Sequence, residues 1–230
     1  MSLLLLIDTS GETGSVALSE NEYVLSYRFC NDQQEQARFL QPAIKEMMDE
    51  TGKSFSDLSA VAVTIGPGSY TGLRVGLASA KGICYACNLP LLTLTTTYVM
   101  SLAAKKAFEK LQPGCSSFYL CPMIDARRME VFLALYNENL EEIHPPSAFI
   151  LDDPAMIVFK EDKPVFCFGN GSVKWKEINR SVNTYFGDVS WDARTMAEEV
   201  FRKFSDQSFD SLEKTAPLYT KPFYTNVVKK

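Results

Sequence analysis

The chain has 230 residues, 46% hydrophobic and 22% charged, with a formal net charge of −5 and one histidine. This is ordinary globular composition, long enough for one large domain or two small ones. The acidic balance argues against a stand-alone nucleic-acid binder, and a single histidine close to excludes a dedicated His-based metal site.

Leu3-Leu4-Leu5-Leu6-Ile7 is a continuous apolar run suited to a central strand and far too short to span a bilayer. The polar turn Asp8-Thr9-Ser10-Gly11 follows, then strands over Ser15–Ser19 and Tyr23–Cys30. Asp8, Thr9 and Ser10 either position a metal-bound phosphate or close the hairpin as an Asx-turn. Asp32 and Glu35 have capping-box spacing and open a predicted helix, Asp32–Thr51, that Gly52 ends. Its apolar residues Phe39, Leu40, Ala43, Ile44, Met47 and Met48 recur at helical period and face a core or a partner.

Ala60–Ile65 reads as a buried strand that breaks at Gly66-Pro67-Gly68. Ser69 and Thr71 are both credible N-caps for a helix running to Asn88. Strand, glycine turn and helix N-terminus in succession suit an anion, because glycine lets backbone approach a ligand and free N–H groups point at it. The turn is not a Walker loop, since Thr71 and Gly72 stand where Gly and Lys are needed. Nor is it a dinucleotide fingerprint: the spacing is GxGxxxG, and Thr95-Thr96-Thr97 stand where an acid should follow the next strand. A phosphate site and a plain strand–helix turn remain open. Gly72, Gly76 and Ala80 form a smooth stripe on this helix. Each interior glycine costs about 1 kcal/mol relative to alanine, so close approach of the chain's own sheet or of a partner must offset it.

Leu91–Leu94 reads as a strand and Thr95–Leu111 as a helix; Pro113-Gly114 then breaks the chain. Two lobes are expected, over residues 1–112 and 113–230. In the second, Phe118–Ile124 is a strand ending at Asp125, with a tight turn at Ala126-Arg127-Arg128-Met129 and a return strand to Tyr136. A third strand is expected near Glu141–Ile150, a short helix over Asp152–Phe159, and a strand at Val165–Phe168 that breaks at Gly169-Asn170-Gly171-Ser172. Short helical stretches follow at Val173–Ile178 and, capped by Asp192, at Trp191–Phe204. The tail is basic, with Lys221, Lys229 and Lys230.

The halves repeat in element order and in junction residues. Ile7-Asp8 matches Ile124-Asp125, and Gly66-x-Gly68-Ser69 matches Gly169-x-Gly171-Ser172. A duplicated α/β fold is expected, with two mixed-sheet lobes facing each other across a cleft lined by strand ends. Asp8, Thr9, Ser10, Gly66, Gly68, Ser69, Thr71, Gly169 and Gly171 are the candidate nucleotide- or phosphate-binding residues. The six cysteines form no dense framework, and Cys84-x-x-Cys87 has no second pair. Core cysteines and a reducing, cytoplasmic setting are expected. His144, the one candidate for a hydrolytic triad, precedes Pro145-Pro146 in an apparent loop.

Ile7-Asp8-Thr9-Ser10, the stretch Gly66-Pro67-Gly68-Ser69-Tyr70-Thr71-Gly72-Leu73-Arg74-Val75-Gly76, Ile124-Asp125-Ala126-Arg127 and Ala216-Pro217-Leu218-Tyr219 resemble the bacterial TsaB (YeaZ) family, in order along nearly the whole chain. The resemblance implies a duplicated actin/hexokinase-like fold. It also implies a part in forming N6-threonylcarbamoyladenosine at position 37 of tRNAs reading A-starting codons, as the non-catalytic paralogue that pairs with TsaD, helped by the ATPase TsaE. No cofactor is expected in the isolated chain, with ATP or ADP and Mg placed in the complex; tRNA is met through the complex, a homodimer is an option, and no membrane is involved. TsaD-type proteins hold metal through a His pair on the first long helix, whereas this helix carries Gln33, Gln34, Gln36 and Gln41. In the family the two N-terminal helices contact TsaD or a second TsaB. Carried over, the contact falls on Phe39, Leu40, Ile44 and Met47 of the first helix and Gly72, Val75, Gly76 and Ala80 of the second. Two alternatives stay open: a nucleotide-dependent phosphotransferase of the same superfamily, and an M22-type glycoprotease-like peptidase.

Overall fold

The computed structural model describes residues 1–151 and 163–221. The expected helix over Asp152–Phe159 and the tail lysines Lys229 and Lys230 lie outside the described residues. The first sheet contains β1 (Leu3–Asp8), β2 (Gly14–Glu20), β3 (Tyr23–Cys30), β4 (Leu58–Thr64) and β5 (Leu91–Leu94). The second contains β6 (Tyr119–Asp125), β7 (Glu130–Asn137), β8 (Glu142–Ile150), β9 (Val165–Phe168) and β10 (Thr184–Gly187). Their orders, β3-β2-β1-β4-β5 and β8-β7-β6-β9-β10, are the same arrangement twice. In each, the first three strands are antiparallel and the last two join in parallel. The duplicated, two-lobed α/β fold expected from the repeat is therefore present. β10 was missed, because Thr184–Gly187 is short and half-buried.

β1 is buried along its whole length because both faces of its sheet are covered. Leu3, Leu5 and Ile7 pack under α1 (Gln36–Thr51) and α2 (Tyr70–Cys87). Leu4 and Leu6 point the other way, onto Ala193, Met196, Ala197 and Val200. Those four residues come from a 3-10 turn (Ala193–Met196) and the helix α5 (Ala197–Ser205), near the end of the chain. Conversely Met100, Ala104 and Phe108 of α3 (Thr96–Leu111) pack on Phe118, Leu120, Phe166 and Phe168 of the second sheet. The remaining helix, α4 (Ser172–Ile178), covers that sheet's other face through Trp175 and Ile178. The lobes thus exchange a helix each. The break at Pro113-Gly114 divides the sheets but not the cores.

Helix α1 begins at Gln36, four residues later than expected. The Asp32 carboxylate accepts the Gln34 N–H at 2.8 Å, so the capping-box pattern closes a local turn instead. Gly52, at φ 65°, ends the helix as expected.

Candidate functional site

The turn after β1 is built as a bracket. Asp8 is 3% exposed. Its Oδ1 accepts the Ser10 N–H at 3.0 Å, the Ser10 hydroxyl at 2.6 Å and the Thr64 hydroxyl at 2.7 Å. The Thr9 hydroxyl donates to the Gly72 carbonyl of α2 at 2.7 Å, and the Ser69 N–H donates to the Ser10 carbonyl at 2.7 Å. Ser69, not Thr71, caps α2, its hydroxyl accepting the Gly72 N–H; Thr71 is exposed. Buried Gln36, one of the glutamines standing on the first long helix, donates from Nε2 to the Gly11 carbonyl at 3.1 Å and so ties α1 to the same turn.

The glycines serve this contact. A Cβ on Gly68 would collide with the Ser10 carbonyl, one on Gly72 with the Thr9 carbonyl and one on Gly76 with the Thr9 hydroxyl. Gly66, at φ 117°, has the Leu218 carbonyl 2.8 Å from where its Cβ would stand. The predicted aspartate and glycine turns do meet, but carbonyl oxygens occupy the space beside the glycines. The Ser69, Gly72 and Leu73 N–H groups are spent within the chain. This junction offers an anion few free donors.

The second lobe repeats the bracket more loosely. Asp125 Oδ1 accepts the Arg127 N–H at 2.6 Å and the Lys174 ammonium at 2.6 Å. Partial burial raises the Asp125 carboxyl, but the Lys174 and Arg127 hydrogen bonds outweigh it and hold it below the usual carboxylate range. Gly169 (φ 90°) and Gly171 pack on Met123 and Ile124, and the Gly171 N–H donates to the Met123 carbonyl at 2.9 Å. Asn170, between them, donates to Glu12 of the first lobe at 3.2 Å. This contact spans a cleft of about 860 Å³. Of the predicted phosphate residues, Ser10 and Gly169 line the cleft; Asp8, Thr9, Gly66, Gly68, Ser69, Thr71 and Gly171 do not. Its walls are Tyr27, Phe29, Phe186, Trp191, Lys176 and Arg194, none singled out in the sequence. The alternating aromatics of β3 were the available signal. Among the described residues, no group of three His, Cys, Asp or Glu is gathered to hold a metal.

The face expected to meet a partner points inward. Leu40, Ile44, Met47 and Ala80 are fully buried, Gly72 and Gly76 are buried, and Phe39 and Val75 pack against the same core. These residues join α1 and α2 to their own sheet, which corrects the expected contact face. The outward face of α2 carries a second small-residue set: Ala78, Gly82 and Ala86, all exposed. With Gln41, Phe55, Ser79, Ile83 and Cys87 they line a groove of about 620 Å³. A Cβ on Gly82 would meet nothing within 4 Å. His144 lies not in a loop but in edge strand β8, its ring edge-on to Phe149 at 5.2 Å, and it is not among the cleft residues. Among the described residues, no helix is long and apolar enough to cross a membrane.

Residues 32–219 match the family described as TsaD, tRNA N6-adenosine threonylcarbamoyltransferase. The tRNA threonylcarbamoyladenosine biosynthesis protein TsaB of Bacillus subtilis is 28% identical over 78% of this chain and 76% of its own length. Its Escherichia coli namesake is 32% identical over 59% of this chain and 55% of its own length. The chain belongs to the TsaB (YeaZ) family. The solved structure of YeaZ from Pseudomonas aeruginosa has the same fold, with a TM-score of 0.78 over 95% of this chain and all of that one, at 23% identity. This TsaB-family chain combines the sealed Asp8 junction with the outward Gly82 groove.

Proposed function

We propose that this chain serves N6-threonylcarbamoyladenosine biosynthesis as the non-catalytic subunit that pairs with a TsaD-like catalytic paralogue. The names carried by its relatives support the pathway. One observation carries the pairing: among the described residues, nothing offsets the cost of Gly82. Gly72 and Gly76 are required by Thr9, whereas Gly82 faces open space in a helix interior, where glycine costs about 1 kcal/mol against alanine. A partner helix seated in the groove along Ala78, Gly82 and Ala86 supplies the missing gain, since small residues let two helix backbones approach closely. The paralogue, built on the same duplicated fold, offers such helices. A TsaE-like ATPase joins the pair, and tRNA is met through the assembly. In the isolated chain the cleft takes no nucleotide; ATP or ADP with Mg acts in the complex.

The test is Gly82→Leu. The variant chain should melt at or above the wild-type temperature by circular dichroism, yet lose capture of the TsaD-like paralogue and fail to support tRNA modification in a reconstituted system. Undiminished capture would sink the interface, and modification without any of this chain would sink the role. Calorimetric titration of ATP–Mg into the isolated chain should show no micromolar binding. Sedimentation of the chain alone reports whether a second copy takes the same groove.

A further inference from the structure

The turn between β6 and β7 is built from the wrong residues for its backbone. Arg127 and Arg128 stand in succession at φ 69° and φ 49°. They sit in the loop 126–129, closed by the Glu130 N–H donating to the Arg127 carbonyl at 3.2 Å, and left-handed backbone favours Gly, Asn or Asp because a Cβ is crowded there. Both arginines are exposed, and among the described residues neither guanidinium makes a hydrogen bond or an ion pair. The nearby acids are occupied. Asp125 is bound to Lys174 at 2.6 Å, and Glu130 is bound to Lys221. The loop therefore shows two exposed guanidinium groups that make no hydrogen bond or ion pair among the described residues, on a chain whose net charge is −5. Fold stability does not ask for arginine here.

We infer that the Arg127–Arg128 turn grips the phosphate backbone of RNA, an inference that rests on the chain's proposed place in a tRNA-modifying assembly. The guanidinium fork matches phosphate oxygens two at a time, which a lysine ammonium does not. A two-residue exposed tip is too small for the roughly 1,000 Å² that a stable protein interface buries. It is large enough to bridge adjacent phosphates. It also gives an acidic chain a basic point of contact, so that tRNA is held by the assembly rather than by this subunit alone.

The test uses the complex with the catalytic paralogue and labelled, unmodified tRNA. Arg127→Asn with Arg128→Gly removes both charges and suits the left-handed backbone, so the chain should melt no lower than wild type. Its tRNA affinity should fall about tenfold, and the slope of log affinity against log salt should become shallower by about 1–2, as expected for losing one or two phosphate contacts. Arg127→Lys with Arg128→Lys should restore most of the salt slope and only part of the affinity. Unchanged affinity and slope in the Asn/Gly variant would overturn the inference. Loss of paralogue capture with tRNA binding intact would overturn it too, in favour of an acidic protein surface. If wild-type chain proves dispensable for modification, the proposed function itself fails. If it is required and the Asn/Gly variant matches it, the phosphate grip alone fails.

Discussion

At the residue scale, α2 carries two small-residue stripes that the sequence cannot separate. Gly72, Gly76 and Ala80 repeat every four residues, and so do Ala78, Gly82 and Ala86. Spacing shows that a face is smooth but not what lies against it, so the stripe with the more specific motif was assigned to a partner when it belongs to the core. The two sets predict opposite outcomes. Gly72→Ala and Gly76→Ala each push a methyl into Thr9, so each should cost about 1–3 kcal/mol of stability, with Gly72 worse because a backbone carbonyl cannot swing aside. Gly82→Ala should add up to about 1 kcal/mol, since nothing opposes its methyl and alanine is the better helix former. Urea unfolding of the three isolated variants would measure this. A destabilised Gly82→Ala, or a neutral Gly76→Ala, would reverse the assignment of the faces. Asp8 shows the same limit: an acid in a turn was legible, but not that Ser10 and Thr64 would use up one of its oxygens.

At the element scale, strands were more legible than helix ends. β3, β5 and β9 fall where alternation or apolar runs placed them. Helix α1 did not, because Asp32 and Glu35 satisfied a cap pattern that the backbone spent on a separate turn. The two cysteines of α2 report its two environments. Cys84 is 1% exposed, and burial pushes its thiol up to about 11. At pH 8 only about a thousandth of it is thiolate, so alkylation should be negligible in the native state. Cys87, half-exposed, lines the outward groove. A maleimide reagent followed by mass spectrometry should label Cys87 and spare Cys84 until denaturant is added. A bulky label on Cys87 should also block pairing with the paralogue, and Cys87→Ser should restore it in the presence of reagent. Labelling of Cys84 at the rate of Cys87 would contradict the burial of that face.

At the scale of the whole molecule, the repeat made the architecture legible and the exchange of helices did not. Helical periodicity tells which side of α3 and α5 is apolar, not which sheet receives it, so each helix was assigned to the lobe nearest in sequence. Residues Leu218 and Tyr219 return to the first lobe. The Leu218 N–H donates to the Ile65 carbonyl at 2.7 Å, just before the first glycine turn. The Tyr219 hydroxyl accepts from Arg74 Nε at 2.9 Å, while the Arg74 guanidinium lies 4.1 Å from the Tyr70 ring centroid. Two residues on, Lys221 binds Glu130 of β7, in the other lobe. The segment is a strap with one end on each lobe, and it crosses the face of Gly66 that a side chain would block. Its energy is modest, because the ion pair and the tyrosine contacts are near the surface. Its mechanical effect is larger, because it ties the first lobe's glycine turn to the start of β7 in the second. Tyr219→Ala with Lys221→Ala should therefore leave the fold intact but free the lobes relative to each other. Hydrogen exchange should quicken at Ile65–Ser69 and at the start of β7, with the interior of α1 unchanged. The Asn170–Glu12 contact across the cleft should weaken in parallel. Exchange that quickened only within the strap would show the lobes to be held by their exchanged helices, Met100, Ala104 and Phe108 on one side and Met196 and Val200 on the other, with the strap a passive tail.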